Sequence, residues 1–344
     1  MSETLGNQAS KDKPAQSSNQ SSQPLLSVDS VSISFGSVQI TQDVSFSLAR
    51  GERVGLVGES GCGKTLTGLS LLRLLPSTAR IQGRILFEGR DILAMAPRAL
   101  REIRGDQIAM IFQEPMSALD PVFTIGDQIA ETLRFHRGIP AKACRAEVED
   151  ALRDVGIPDP KRRYDEYPHQ LSGGMRQRAM IAMALICHPR LLVADEPTTA
   201  LDVTIQAQIT DLLQKLSEET GVALLFITHD LGVVAETCSR MLTMYAGQIV
   251  EDAPVDDVLL KPKHPYSSGL LRSLPTLDQK RGTLRFIPGR VPAPDAVPAG
   301  CRFGARCKFE RDACKQPQSL VAVEPNRQVR CCRYDQLDLE GATG

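Results

Sequence analysis

Apolar and polar residues alternate over 28–35 and over 44–48, with β-branched side chains at the apolar positions, which is the pattern of half-buried strands. A short apolar run at 53–57 reads as a third strand, and the stretch 64–75 after it as a helix. Further strands are predicted at 83–87 and 107–112. From about 115 to 168 the period lengthens. Val148, Ala151, Leu152 and Val155 fall on one helix face, and Gly156 and Pro158 follow as a stop signal. Another helix is predicted over 176–186. The runs 191–194 and 223–227 are short and wholly apolar, with a helical stretch at 205–217 between them. Strand, helix and strand in that order predict a parallel sheet covered on both faces. Segments 241–244 and 248–251 around Gly247 read as a closing hairpin.

The two ends break the pattern. Residues 1–24 are rich in Ser, Gln, Asn and Lys with no apolar stretch, so a disordered tail is expected there and not a signal peptide. Nine of the 22 prolines lie between Pro262 and Pro325. Proline disfavours helix interiors and central strands, so an irregular extension is expected, held by something other than a large core. The domain reading is therefore a tail at 1–24, a nucleotide-binding domain at 25–262 with a helical subdomain near 115–168, and an extension at 263–344. No run approaches the roughly 18–20 apolar residues of a membrane span. A net charge of −1 gives no basic field for nucleic acid. A cytoplasmic setting is expected, in which the nine cysteines are thiols or metal ligands and not disulfides.

The chemistry is carried by three short elements. Gly58-Glu59-Ser60-Gly61-Cys62-Gly63-Lys64-Thr65 joins a predicted strand to a predicted helix. Its glycines let successive N–H groups face a polyphosphate, and the helix start adds a positive dipole end. Lys64 would reach the β- and γ-phosphates, and the Thr65 hydroxyl would ligate Mg²⁺. Leu191-Leu192-Val193-Ala194 ends in Asp195 and Glu196. Adjacent residues on a strand point to different sides, so Asp195 is expected to hold Mg²⁺ through water and Glu196 to polarise the attacking water. The third element, Leu171-Ser172-Gly173-Gly174-Met175, stands between the other two.

In that order and spacing the three elements resemble the ATP-binding subunit of an ATP-binding-cassette (ABC) transporter. The resemblance implies an α/β fold of the P-loop NTPase, RecA-like class, with antiparallel β and α-helical subdomains and an irregular Cys-rich C-terminal extension. It implies a histidine, His229, on the γ-phosphate, and a Q-loop glutamine, Gln113, contacting Mg²⁺ or water. It implies a D-loop aspartate, Asp202, at a dimer interface. It also places adenine on Phe35, although an aromatic in a strand is by default a core residue. Ser172, Gly173 and Gly174 would complete the ATP site of a second cassette in a head-to-tail dimer. Met175 stands where the family usually has Gln. Cys62 is tolerated in the loop because that position contributes mostly backbone.

Gln113-Glu114-Pro115-Met116-Ser117-Ala118-Leu119-Asp120-Pro121, Tyr167-Pro168-His169-Gln170 and His264-Pro265-Tyr266 resemble the peptide/nickel import branch. Five cysteines fall between Cys301 and Cys332. By the same resemblance Cys301, Cys307, Cys314 and Cys331 match the positions thought to hold a 4Fe-4S cluster, with Cys332 where His is frequent. By count alone four thiolates suit zinc as well, and unrelated free thiols are the remaining alternative.

The expected function is an ATP-hydrolysing subunit of an oligopeptide or dipeptide importer, using ATP and Mg²⁺. Its expected partners are a second, related ATPase chain, two transmembrane permease subunits and an extracytoplasmic solute-binding protein. Its expected place is peripheral, on the cytoplasmic face of the inner membrane. A nickel or other small-solute importer is the alternative within the family. Outside it stand a soluble cassette ATPase acting on nucleic acid or ribosomes, and a metal-sensing regulatory subunit. The extension is expected to be dispensable for ATP hydrolysis itself.

Overall fold

A computed structural model of the chain describes residues 23–114, 118–199, 201–274 and 286–342. The expected tail therefore lies outside the described residues except for 23 and 24, as do 115–117 of the Q-loop motif. Two sheets are present among the described residues. The smaller one is antiparallel, in the order β2 (Val38–Leu48), β1 (Leu26–Phe35), β4 (Ala79–Phe87), β5 (Arg90–Asp91). The larger is built on β3 (Arg53–Val57), β6 (Ile108–Ile111), β7 (Leu191–Asp195), β8 (Ala223–Thr228), β9 (Arg240–Tyr245) and β10 (Gln248–Pro254). Strands β9, β3, β8, β7 and β6 run parallel in that spatial order.

Helices among the described residues, in chain order, include α1 (Lys64–Leu71), α2 (Pro97–Ile103), α3 (Ile125–Arg137), α4 (Ala141–Asp154), α5 (Pro160–Tyr164), α6 (Gly173–Leu185), α7 (Val203–Thr220), α8 (Leu231–Thr237), α9 (Val255–Leu260) and α10 (Pro265–Arg272). None of them is long and apolar enough to cross a membrane.

The parallel strands are apolar throughout because each faces two cores. Along β7, Leu191 and Val193 join the core shared with the small sheet, whereas Leu192 and Ala194 join the core shared with the helical region. Along β8, Leu225 and Ile227 face the first core and Leu224 and Phe226 the second. This is the period-two signature of a strand buried on both sides. Helices α3 to α6 supply much of the second core through Ile125, Ile129, Leu133, Val148, Leu152 and Ile181.

The proline-rich extension departs from the expectation. It contributes a regular helix, α10, with Pro265 at its first position and the His264 side chain accepting the Tyr266 N–H at 3.0 Å. Proline is tolerated there because the first helical N–H has no intrahelical partner anyway. The extension also adds two strands, β11 (Val321–Glu324) and β12 (Arg327–Val329), which prolong the main sheet antiparallel beyond β10. Neither strand contains a proline, and Pro325 lies in the tight turn between them. A small aromatic core of Tyr245, Tyr266 and Phe303 joins the extension to β9. Buried Glu251 of β10 accepts from Arg327 Nη2 at 2.6 Å and from the Lys263 and His264 N–H groups at 2.8 and 3.0 Å. That buried charge is compensated on every side, which is the condition under which burial is tolerated.

Candidate nucleotide site

The loop 58–63 leaves the end of β3 and enters α1. A Cβ at Gly58 would stand 2.1 Å from the Met244 carbonyl oxygen, so close approach to β9 demands glycine there. Gly63, at φ 101°, turns the chain into the helix and caps it. The loop is pinned from outside: the Gly247 N–H donates to the Cys62 carbonyl at 2.9 Å, and the Gln42 N–H donates to the Gly247 carbonyl at 2.8 Å. Cys62 is buried, and burial raises its thiol pKa. Lys64 folds back across the loop, its Nζ donating to the carbonyls of Gly58 at 2.8 Å and Glu59 at 3.2 Å.

Asp195 ends β7 with 2% of its surface exposed. Its Oδ1 accepts from the Thr65 hydroxyl at 3.1 Å. Burial pushes its carboxyl up to about 6, against the pull of the Thr65 hydrogen bond and of Lys64. A desolvated carboxyl beside a hydroxyl, at the edge of the phosphate loop, is a donor set that fits a hard divalent cation.

Glu196 turns the other way. It sits at φ 45°, a conformation uncommon outside glycine, with its N–H donating to the Ile227 carbonyl at 2.8 Å. Gln113 Nε2 donates to its carboxylate at 3.2 Å and the Thr199 hydroxyl donates at 2.9 Å, while His229 Nδ1 lies 3.4 Å away. Thus Gln113, after β6, and His229, after β8, converge on Glu196 between them, at the carboxyl ends of three neighbouring strands. Thr199 is the residue that sequence reasoning missed. Its signal was a hydroxyl three positions after the carboxylate, in the turn that brings the Thr199 N–H to the Glu196 carbonyl at 3.1 Å.

The ABC transporter family model matches residues 41–199, and the model of the oligopeptide/dipeptide transporter C-terminal region matches residues 250–314. A Brucella ovis protein named as a peptide import ATP-binding protein is 49% identical over 335 residues, covering 92% of this chain and 99% of that one. A Brucella abortus protein of the same name type is 48% identical over 313 residues, covering 90% of this chain and 94% of the relative. The chain belongs to the ABC transporter family, in its oligopeptide/dipeptide branch. Among solved structures, cbiO1 from Clostridium perfringens, part of the ABC transporter complex cbiONQ, superposes with TM-score 0.59 at 26% identity over 68% of this chain and 90% of that one. The ATP-binding cassette MJ0796, solved as a dimer with ADP and Pi, superposes with TM-score 0.60 at 27% identity over 67% of this chain and 98% of its own.

In this ABC ATPase the signature element opens α6. Ser172 caps that helix, its hydroxyl accepting the Met175 N–H at 3.3 Å, and both Ser172 and Gly173 are exposed. A Cβ at Gly174 would stand 2.9 Å from Ile205 of α7. Asp202 is exposed and caps α7 through the Ile205 N–H at 3.0 Å. Phe35 is half-buried in β1 and packs on the core beneath the small sheet.

The cysteines of the extension gather without forming a ready metal site. Among the described residues no three His, Cys, Asp or Glu side chains form a metal-holding group as they stand. Cys301, Cys307, Cys314 and Cys331 do line one small cavity together with Phe303 and Phe309, and Cys332 Sγ stands 3.9 Å from Cys314 Sγ. Burial first, and then the neighbouring thiols, push Cys301 up to about 11 and Cys331 up to about 12, and raise Cys307. Burial thus favours the neutral thiols over their thiolates.

The extension is not independent of the nucleotide loop. The Tyr266 hydroxyl accepts the Glu59 N–H at 2.8 Å, and Arg306 grips the Glu59 carboxylate with both terminal nitrogens, at 2.6 and 3.0 Å.

Proposed function

We propose that this chain binds Mg-ATP on the 58–65 loop and hydrolyses it to drive peptide uptake through partner permease subunits. The observation that carries this is the convergence of Gln113, Thr199 and His229 on Glu196, beside the Thr65–Asp195 pair. Glu196 takes a proton from the water attacking the γ-phosphoryl group, as the bond to the bridging oxygen of the β-phosphate breaks. Gln113 and His229 orient that water and the γ-phosphate. Lys64 turns from the loop carbonyls to the phosphates. Mg²⁺, held by Thr65, Asp195 and Gln113, would neutralise developing charge on the phosphate oxygens. Phe35 would stack on the adenine.

The catalytic unit is a head-to-tail pair. Ser172, Gly173 and Gly174 present the exposed N-terminus of α6, and Asp202 flanks it at the start of α7. Such a terminus favours an anion, here the ATP held by a second, related cassette. The dimeric state of MJ0796 supports the arrangement. Permease subunits would dock on the apolar groove lined by Leu72, Met110, Phe112, Ala118, Met180 and Met183, close to Gln113. The assembly would lie on the cytoplasmic face of the inner membrane and receive peptides from an extracytoplasmic binding protein, a cargo class supported by the relatives' names and the C-terminal region. The purified chain alone is expected to hydrolyse ATP slowly, and the assembled transporter fast. Ser172→Arg is expected to abolish hydrolysis at the partner's site while this chain keeps its own ATP affinity. Full transporter-level turnover by a monomer, or an unaffected Ser172→Arg assembly, would refute the composite site.

The cavity ringed by Cys301, Cys307, Cys314 and Cys331 is the place for a 4Fe-4S cluster that staples the extension. Four thiols around one cavity support it, and the thiols would have to move apart around the cluster to bind it. Iron and sulfide analysis after anaerobic purification is expected to find both. Zinc alone would reassign the cavity as a structural zinc site, and neither metal would leave free thiols.

A further inference from the structure

Glu59 puts a carboxylate inside a loop built to hold a polyphosphate. Left unpaired it would add negative charge to the loop that must hold an anion, which opposes binding. The chain answers with Arg306, 247 residues further on. Both ends of the guanidinium fork engage the Glu59 carboxylate, and its other donors are taken by the Pro288 carbonyl at 2.9 Å, the Ile287 carbonyl at 3.2 Å and the Tyr245 hydroxyl at 3.4 Å. Its carbon centre lies 5.7 Å from the Tyr245 ring centroid and 6.0 Å from that of Phe303. With 5% of its side chain exposed, this is a fixed group and not a wandering surface cation. Tyr266, fully buried, fixes the backbone of the same residue through the Glu59 N–H.

Two neighbouring arginines show that the extension is anchored as a unit. Arg302 donates to the Ala246 carbonyl and to Gln42, and Arg330 donates to the Ile249 carbonyl at 2.9 Å and to Asp43 at 3.1 Å. Each of Arg302, Arg306 and Arg330 is the chain neighbour of a cysteine lining the cavity, and of the three Arg306 is the one that reaches the phosphate loop.

We propose that Arg306 and Tyr266 are positioning residues for ATP binding: from the C-terminal extension they neutralise and orient Glu59, so the order of the extension sets the nucleotide affinity of the phosphate loop. This rests on the ATPase reading above. Arg306 acts through Glu59, and its loss leaves that carboxylate unpaired on the phosphate loop.

The test is Mg-ATP affinity of the full-length chain, read by titration with a fluorescent ATP analogue, together with KM and kcat of the assembled transporter. Arg306→Ala is expected to weaken binding about tenfold, equivalent to about 1.4 kcal/mol, and to raise KM with little change in kcat. Glu59→Gln added to Arg306→Ala is expected to restore most of the affinity, because it removes the unpaired charge. Arg306→Lys, which keeps the charge but not the fork, is expected to fall between. A purely structural role for Arg306 predicts a lowered melting temperature and no rescue by Glu59→Gln. Unchanged affinity in Arg306→Ala, or failure of that rescue, overturns the inference. If Arg306→Ala does not fold, Arg306→Lys with and without Glu59→Gln carries the same comparison. A wild-type chain that does not bind Mg-ATP would instead sink the ATPase reading.

Discussion

Glu196→Gln is expected to leave Mg-ATP binding intact and to cut steady-state hydrolysis by about 10²–10⁴, the usual worth of a positioned general base. The substitution is nearly isosteric. The side-chain oxygen that remains can still accept from the Thr199 hydroxyl, which meets Glu196 at 2.9 Å, and the φ of 45° belongs to the backbone and is unaffected. What is lost is the capacity to take a proton. His229 reaches the same carboxylate from a separate loop at 3.4 Å, so it orients the group and does not stand in its place. Single-turnover measurement on the assembled transporter separates the two effects: the variant is expected to trap ATP in a stable dimer. Wild-type turnover would remove Glu196 from the mechanism.

Lys64→Ala is expected to lose nucleotide affinity itself, by on the order of a hundredfold or more, since each charge-assisted hydrogen bond to phosphate is worth roughly 1.5–3 kcal/mol. Its effect has a second source in the free protein. Lys64 Nζ bridges the Gly58 and Glu59 carbonyls, and so holds the loop in its curled form before ligand arrives. Removing it unties the loop and deletes the cation together. Equilibrium binding with Mg-ATP and with Mg-ADP measures the loss. The ATP penalty is expected to exceed the ADP penalty, because the ammonium faces the terminal phosphates. Equal affinity for wild type and variant would contradict the assignment.

The core elements were legible because they are local. The β-branched alternation of β1, the wholly apolar runs of β7 and β8 and the glycines of the 58–63 loop each record their own surroundings. The apolar runs in particular follow from burial on two faces, visible in Leu191 and Leu192 facing different cores. Boundaries were less legible. The predicted helix 64–75 stops at Leu71, where Arg73 takes a φ of 50°, and the helix expected from 205 starts at Val203 because the Asp202 side chain caps it. The extension was misread for a positional reason. Pro265 opens a helix and Pro325 lies in the turn between two short strands, positions where a missing N–H costs nothing.

By itself the sequence determined the phosphate loop, the two carboxylates at the strand end, the signature element and the family, because each depends on residue type and spacing within a few positions. Only the tertiary structure decided which side chains share a site. Gln113, Thr199 and His229 meet at Glu196 because β6, β7 and β8 lie side by side in the parallel sheet. Arg306 meets Glu59 across 247 residues because α10, Tyr245 and Phe303 pack the extension against β9. Such contacts leave no period or spacing in the chain. They exist only where separately encoded elements pack, and the free energy of that packing places the last charge beside the phosphate loop.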